Sequence, residues 1–81
     1  MLTLYSTEGC HLCEQAYALL QSVGFPVQDL SIVDIAFDDE LFSRYGVTIP
    51  VLSNGTNELN WPFDASQLLT WLENNGINYH P

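Results

Sequence analysis

A segment of helical periodicity between two β-rich segments constrains the fold of this chain more than any other feature. Residues 1–5 are mostly apolar and include Thr3 and Tyr5, which favour strands. From Cys10 onward the apolar residues recur with helical spacing, and residues 27–35 are again rich in β-branched side chains. When two strands of one sheet are separated by one helix, they pair in parallel, and the crossover between them is right-handed. The sequence therefore predicts a βαβ unit at the start of the chain.

The predicted first helix has a clear end. Gly24 occupies the position of a left-handed C-terminal cap, and Pro26 prevents the helix from resuming. The second strand is then predicted over residues 27–35. The buried face of the helix is predicted to be one apolar stripe made of Leu12, Ala16, Leu19, Leu20 and Val23.

A short helix and a hairpin are predicted in the middle of the chain. The acidic residues 38–40 would lie in the first turn of the helix, where they interact favourably with the positive end of its dipole, and Gly46 would end it. Asn54 and Gly55 suit a two-residue type I′ turn, because both tolerate positive φ. The residues after this turn alternate between polar and apolar, as in a half-buried strand.

The last helix carries a strong start signal. Asp64 is predicted to be its N-cap, and Gln67 is placed to complete a capping box. Phe63 and Leu68 are spaced for a hydrophobic staple across this start, and Gly76 would end the helix. The buried face is predicted to comprise Leu68, Leu69, Trp71 and Leu72.

These elements predict one α/β domain spanning residues 1–81, in the order β-α-β-α-β-β-α. The βαβ unit supplies parallel pairing and the hairpin supplies antiparallel pairing. The sheet is therefore expected to be four-stranded and mixed, with helices on both faces. With 47% hydrophobic and 14% charged residues, the composition is that of a globular chain.

Acidic residues dominate the charge. Ten Asp and Glu residues stand against one basic residue, Arg44, which gives a net charge of −9. Because phosphate contacts need Lys and Arg, this balance argues against nucleic acid and anionic membrane as partners, and it favours a basic protein partner. The alternative is that the acids only solvate the surface.

The location of the protein follows from two further features. No apolar run approaches the roughly 20 residues that span a bilayer, and the N-terminus lacks the positive charge and apolar stretch of a signal peptide. We therefore expect a cytoplasmic protein. We also expect it to be a monomer. In such a reducing compartment a close cysteine pair is more often catalytic or metal-binding than structural.

Cys10 and Cys13 are the only cysteines, and they lie where the first strand gives way to the first helix. The N–H groups and dipole of a helix start stabilise a thiolate at Cys10, which predicts a catalytic nucleophile there. Cys13 lies one turn deeper and could resolve a mixed disulfide formed at Cys10. His11 is a candidate substrate contact and would assist the thiolate when protonated, whereas the carboxylate of Glu8 would oppose it.

Three other roles remain open for the cysteine pair. A zinc site needs four ligands, and His11 and His80 are the only other obvious donors, so no metal is expected. A structural disulfide across so short a loop would restrict the unfolded chain little. The pair could also be vestigial or regulatory on an acidic adaptor module that binds other proteins.

Three stretches carry a family resemblance: YSTEGCHLC, YGVTIPVL and WPFDASQLLTWL. They resemble the glutaredoxin-like branch of the thioredoxin superfamily, and most of all its short, poorly characterised members, over nearly the whole chain. The resemblance implies a thioredoxin/glutaredoxin-like fold and an oxidoreductase that exchanges disulfides with protein or small-molecule substrates. An external electron donor would serve it, with no metal or organic cofactor. The resemblance also implies that Pro50 is cis and that Ile49 offers a backbone contact to the substrate.

Glutathione is the co-substrate that this resemblance implies, with Asp64 at the helix cap that receives its amino group. Three departures count against glutathione. Thr7 and Glu8 stand where a basic residue usually precedes the first cysteine, and residues 61–63 (WPF) replace a glycine pair. With a single arginine and no lysine, the chain also offers little to pair with the carboxylates of glutathione.

Overall fold

The computed structural model describes residues 2–77, so His80 lies outside the described residues. The predicted order β-α-β-α-β-β-α is confirmed, and two 3-10 turns are added to it, at Val27–Asp29 and Ile35–Phe37. The strands and helices are β1 (Leu2–Ser6), α1 (His11–Ser22), β2 (Leu30–Asp34), α2 (Asp39–Tyr45), β3 (Val51–Ser53), β4 (Glu58–Asn60) and α3 (Ala65–Asn74).

The strands form one four-stranded mixed sheet in the order β2-β1-β3-β4, as predicted. β1 runs parallel to β2 and antiparallel to β3, and β3 runs antiparallel to β4. The parallel pair is the βαβ unit that the sequence predicts. Given these directions, the C-terminal ends of β1, β2 and β4 meet the N-terminal end of β3 at one end of the sheet, which we call the upper end.

Two hydrophobic clusters lie on opposite faces of the sheet. The larger contains Leu4 and Leu52, which are partners in the β1–β3 pairing, together with buried residues of α1 and α3. The smaller contains Val51, the partner of Tyr5, together with Tyr45 of α2. Because neighbouring residues of a strand point to opposite faces, α1 and α3 cover one face and α2 covers the other. The prediction of helices on both faces is confirmed.

Gly24 ends α1 as predicted. It has a φ of 84°, which glycine adopts without steric cost. Its N–H donates to the carbonyl of Gln21, and the N–H of Phe25 donates to the carbonyl of Leu20, each at 3.0 Å. This Schellman motif satisfies carbonyls that the end of the helix would otherwise leave unpaired.

The buried faces of α1 and α3 differ from the predicted ones at two leucines. Leu12 and Leu69 were expected inside but are 46% and 42% exposed. Consecutive residues of a helix point about 100° apart. Because Cys13 and Leu68 point into the protein, their immediate neighbours Leu12 and Leu69 turn toward solvent. The buried residues of the two helices are Cys13, Ala16, Leu20, Leu68 and Leu72.

The second strand is shorter than the predicted 27–35. Residues 27–29 form a 3-10 turn, in which the N–H of Asp29 donates to the carbonyl of Pro26 at 2.9 Å. Strand pairing in the described chain starts with Leu2 opposite Leu30. Residues 27–29 precede this pairing, so their backbone groups are satisfied locally. Ile35, predicted as the last strand residue, begins the second 3-10 turn.

The hairpin loop is longer than the predicted two-residue type I′ turn. Ser53 pairs with Glu58, so residues 54–57 form the loop. A type I′ turn needs positive φ at both central residues, and within residues 2–77 only glycines have positive φ. The side chain of Asn54 instead accepts hydrogen bonds from the N–H groups of Thr56 and Asn57, which closes a wider loop.

A tyrosine cluster holds α2 against the sheet. The rings of Tyr5 and Tyr45 stack with their centroids 4.4 Å apart, and the guanidinium carbon of Arg44 lies 5.1 Å from the centroid of the Tyr45 ring. The hydroxyl of the buried Tyr45 donates to the carboxylate of Glu58 on β4. The pKa of Tyr45 is raised to about 12, mainly by this hydrogen bond and secondly by burial of the side chain.

The raised pKa of Tyr45 predicts a loss of stability in alkali. The folded-state pKa of about 12 exceeds the unfolded value of about 10, so Tyr45 stabilises the fold fully below pH ~10 and loses this effect between pH ~10 and ~12. We expect Tyr45→Phe to cost about 1–3 kcal/mol in free energy of unfolding at neutral pH. The difference from the wild type should shrink above pH ~10 in urea unfolding curves.

Tyr17→Phe is the matched control, because it removes a tyrosine hydroxyl outside this cluster. Measuring it over the same pH range shows how much of the change is specific to the Tyr45 hydroxyl. A Tyr45→Phe difference that stays constant up to pH ~12 would contradict the assigned hydrogen bond.

Candidate functional site

A tight turn carries the chain from β1 into α1. Thr7, Glu8 and Gly9 form it, and Gly9 has a φ of 78°. A Cβ atom at Gly9 would meet no atom within 4 Å, so glycine is favoured there by its backbone conformation and not by a lack of space. The turn places Cys10 directly before the first residue of the helix.

Cys10 is the N-cap of α1. Its backbone is extended, with φ −89° and ψ 105°, and its Sγ atom accepts a hydrogen bond from the N–H of Cys13 at 3.2 Å. Its carbonyl accepts from the N–H of Glu14 at 3.1 Å. Sulfur thus accepts the capping hydrogen bond in place of the usual oxygen. The same N–H group and the helix dipole would stabilise a thiolate at Cys10.

Cys10 and Cys13 are joined by a disulfide, with their Cα atoms 5.2 Å apart. The two cysteines differ in exposure, since Cys10 is partly exposed and Cys13 is only 4% exposed. An external thiol or disulfide therefore reaches Cys10 more easily than Cys13.

His11 is the first residue of α1 and projects into solvent. Its Nδ1 atom lies 3.5 Å from an Oε2 atom of Glu14, and the two side chains are 91% and 73% exposed. The structure thus places the predicted substrate contact beside Cys10, at an open surface. An exposed pair of this kind contributes little to stability.

Strand register brings Ile49 and Pro50 to the same end of the sheet as the cysteines. Tyr5 pairs with Val51 in the antiparallel β1–β3 ladder, so the residues after Tyr5 run alongside those before Val51. The Ile49–Pro50 peptide bond is cis, as the family resemblance implies. The N–H of Ile49 donates to the carbonyl of Tyr45 at 3.1 Å, while Pro50 is buried.

Asp64 follows β4 at this upper end and caps α3. Its carboxylate accepts from the N–H of Gln67 at 2.8 Å, and its own N–H donates to the side chain of Gln67 at 2.9 Å. The predicted capping box is thus confirmed. Phe63 is a core residue at 5% exposure, and its ring packs edge to face with that of Trp61, with the ring centroids 5.0 Å apart. The Trp61–Pro62 bond is also cis, which the sequence did not indicate.

An open groove of about 380 Å³ lies beside the disulfide. Cys10 and Cys13 form part of its lining, the turn between β1 and α1 forms another part, and two carboxylates, Glu8 and Glu14, also line it. Its apolar lining comes from three different elements and consists of Leu4, Tyr17 and Ile32.

Residues 1–73 match the family model of the Glutaredoxin-like domain (DUF836). The chain belongs to this glutaredoxin-like family.

Solved structures similar to this glutaredoxin-like domain support the same fold. The X-ray structure of protein XcR50 from X. campestris is 41% identical, with a TM-score of 0.83 over 91% of this chain and 97% of that one. The solution structure of XcR50 is 40% identical, with a TM-score of 0.81 over 99% and 97%. Protein Ne2328 from Nitrosomonas europaea is 28% identical, with a TM-score of 0.67 over 86% and 87%.

The curated proteins contain no match to this glutaredoxin-like chain. None of the helices in residues 2–77 has both the length and the apolar character needed to cross a membrane.

Sequence reasoning missed several residues that line the groove beside the disulfide, among them Ile32, Tyr17 and Glu14. Ile32 lies in β2, and only the pairing of Leu4 with Ile32 brings it to this position. Tyr17 and Glu14 lie in α1 within two turns of Cys10, so helical spacing from the cysteine was a signal for both.

The capping box predicts a structural effect of Asp64 in this glutaredoxin-like domain. Asp64→Ala should lower the free energy of unfolding by about 1 kcal/mol, because it leaves the N–H of Gln67 unpaired at the helix start. Asp64→Asn should retain most of that stability, since its side-chain oxygen can still cap. Urea unfolding monitored by circular dichroism measures both, with Ser66→Ala as the exposed control on the same helix turn. Equal stability of Asp64→Ala and wild type would contradict the capping role.

Proposed function

We propose that this glutaredoxin-like protein is a thiol–disulfide oxidoreductase, with Cys10 as the attacking thiol and Cys13 as the resolving thiol. The observation that supports this most is the Cys10–Cys13 disulfide at the start of α1, in which Cys10 is partly exposed and Cys13 is buried. A purely structural bridge needs no such asymmetry, whereas an exchange reaction depends on it.

The reaction requires two thiolate attacks. In the reduced protein, the Cys10 thiolate attacks one sulfur of a substrate disulfide, which forms a mixed disulfide and releases the first substrate thiolate. Cys13 then loses its proton and attacks the sulfur of Cys10, which releases the second substrate thiolate and forms the Cys10–Cys13 disulfide. Solvent protonates both released thiolates. The substrate gains two electrons, and the protein loses two.

The geometry of the helix start suits both steps. The N–H of Cys13 already points at the sulfur of Cys10, so a thiolate formed there meets a donor without rearrangement. The positive end of the helix dipole adds to this stabilisation. Cys13 is 4% exposed, which restricts direct contact with bulky disulfides and leaves it to act on the mixed disulfide at Cys10.

An external donor must return two electrons for the protein to turn over, either one dithiol or two molecules of a monothiol such as glutathione. The chain itself needs no metal or organic cofactor for this cycle. Glutathione or a thioredoxin-type reductase system could supply the electrons, and the cytoplasm is the compartment we propose for the reaction. Ile49 and Pro50 lie at the same end of the sheet and are the residues we propose for binding the substrate backbone.

Substitution of each cysteine tests the assigned roles. Cys10→Ser should lower the rate at which the reduced protein cleaves a model disulfide by on the order of a hundredfold or more, because it removes the nucleophile. Cys13→Ser should accumulate a mixed disulfide at Cys10, visible by intact-protein mass spectrometry. The Cys10→Ser/Cys13→Ser variant is the matched control for background reaction. The assigned roles would be reversed if Cys10→Ser formed a mixed disulfide at Cys13 as fast as Cys13→Ser forms one at Cys10.

Turnover separates an enzyme from an acidic binding module. Wild-type protein should reduce a model disulfide continuously with either glutathione and its reductase or a thioredoxin reductase system. The absence of turnover with both, together with capture of a basic partner by the double-serine variant, would favour the adaptor function. The reduction potential of the cysteine pair then distinguishes a reductant from an inert disulfide.

A further inference from the structure

The groove beside the disulfide has one sign of charge. Its lining includes Glu8 and Glu14, which lie on the turn before Cys10 and on α1 after it. A second concavity shares Glu8 and Ile32 with the groove and adds Asp34 at the end of β2. No lysine exists in the chain, and the guanidinium of its one arginine, Arg44, lies over the ring of Tyr45.

The floor of the groove is apolar and the carboxylates are more exposed. Leu4 is 1% and Cys13 is 4% exposed, while the side chain of Glu14 is 73% exposed. His11 does not line the groove, and its Nδ1 atom lies 3.5 Å from Oε2 of Glu14, so a protonated His11 would pair with that carboxylate. A substrate whose sulfur reaches Cys10 therefore passes acidic side chains and contacts apolar ones.

From this arrangement we propose that the groove selects disulfides that carry positive charge beside the sulfur, and that Glu8 and Glu14 determine this specificity. The inference rests on the proposed oxidoreductase function and names its substrate class. The anionic disulfide of glutathione is disfavoured, because its carboxylates would face Glu8 and Glu14, and no lysine or arginine lines the groove to offset the repulsion. The chemistry of the exchange is unchanged: Cys10 still attacks, and two substrate thiols are released.

The size of the effect follows from Coulomb's law. A unit charge several ångströms from a carboxylate at a water-exposed surface changes the reaction rate by roughly three- to tenfold, in opposite directions for a cation and an anion. With two carboxylates, the reaction rates of a dication and a dianion should therefore differ by well over tenfold. Salt should suppress the separation, since the Debye length falls from ~30 Å at 10 mM to ~3 Å at 1 M.

Three small disulfides of similar size but different charge test the proposal. They are cystamine, a dication; 2-hydroxyethyl disulfide, which is neutral; and 3,3′-dithiodipropionate, a dianion. The wild-type protein is reduced with dithiothreitol, freed of excess reductant and mixed with each probe. Acid quenching, alkylation and mass spectrometry then give the rate of protein oxidation. Each rate is divided by the rate at which dithiothreitol reduces the same probe. This ratio, the corrected rate, removes the contribution of the leaving thiol.

We expect the corrected rate with cystamine to exceed that with 3,3′-dithiodipropionate by more than about tenfold at low salt, and by much less at 1 M salt. Glu8→Gln/Glu14→Gln should reduce this ratio by about tenfold, because it removes both charges while keeping the shapes of the side chains. Glu40→Gln/Glu73→Gln is the matched control. It changes the net charge equally, its positions do not line the groove, and it should leave the ratio nearly unchanged.

The outcomes separate failure of this inference from failure of the proposed function. A protein that none of the three disulfides oxidises would overturn the oxidoreductase function itself. Oxidation at equal corrected rates, or a ratio equally lowered by the control variant, would overturn only the charge selection. Peptide disulfides with lysine on both sides of the cysteine distinguish the source of the substrate. If these peptides react faster than cystamine, the substrate is a protein disulfide that also contacts the apolar floor of the groove. If they react at the same rate, charge alone determines the selection.

Discussion

The antiparallel pairing of β1 with β3 is the interaction on which the rest of the structure depends. Leu4 and Leu52 form the centre of the larger core, and the neighbouring pair Tyr5 and Val51 anchors α2 on the opposite face. The same ladder brings the turn that carries Cys10 to the end of the sheet where the Ile49–Pro50 bond lies. Packing on both faces and assembly of the upper end are therefore consequences of one set of backbone hydrogen bonds.

Cys10 connects local folding with the proposed chemistry. A residue at an N-cap satisfies a free N–H group of the helix, and at this position the acceptor is the sulfur of Cys10 instead of the usual hydroxyl or carboxylate oxygen. The donors that begin α1 are thus the donors that would stabilise a thiolate at Cys10 in the proposed reaction. Gly9 makes this possible, because its positive φ turns the chain from β1 into the cap. A cysteine pair at this place needs few other residues to become reactive.

The features that show the family and the features from which we propose the substrate class lie in different parts of the molecule. The fold and the cysteine pair are those of a glutaredoxin-like domain. The groove beside the pair is acidic, and Asp64, the residue at which the resemblance places glutathione, has its carboxylate engaged in a capping box. Phe63, which stands in place of a glycine, is a core residue. In the function we propose, the scaffold permits disulfide exchange, and the side chains around the cysteine pair determine which disulfides approach.

The sequence by itself determined the features that depend on neighbours along the chain. Helical spacing, the caps at Gly24 and Asp64 and the order of the elements involve contacts within a few residues, so they could be predicted. The exposure of Leu12 could not be predicted, because it depends on the rotation of α1 against the sheet. The length of the 54–57 loop could not be predicted either, because it depends on the hydrogen bonds that the side chain of Asn54 accepts. Only the tertiary structure brought Ile32 to the groove, since it reaches the site through its β1 partner, Leu4. Residues far apart in sequence meet through strand register, which is set by packing the whole sheet at once.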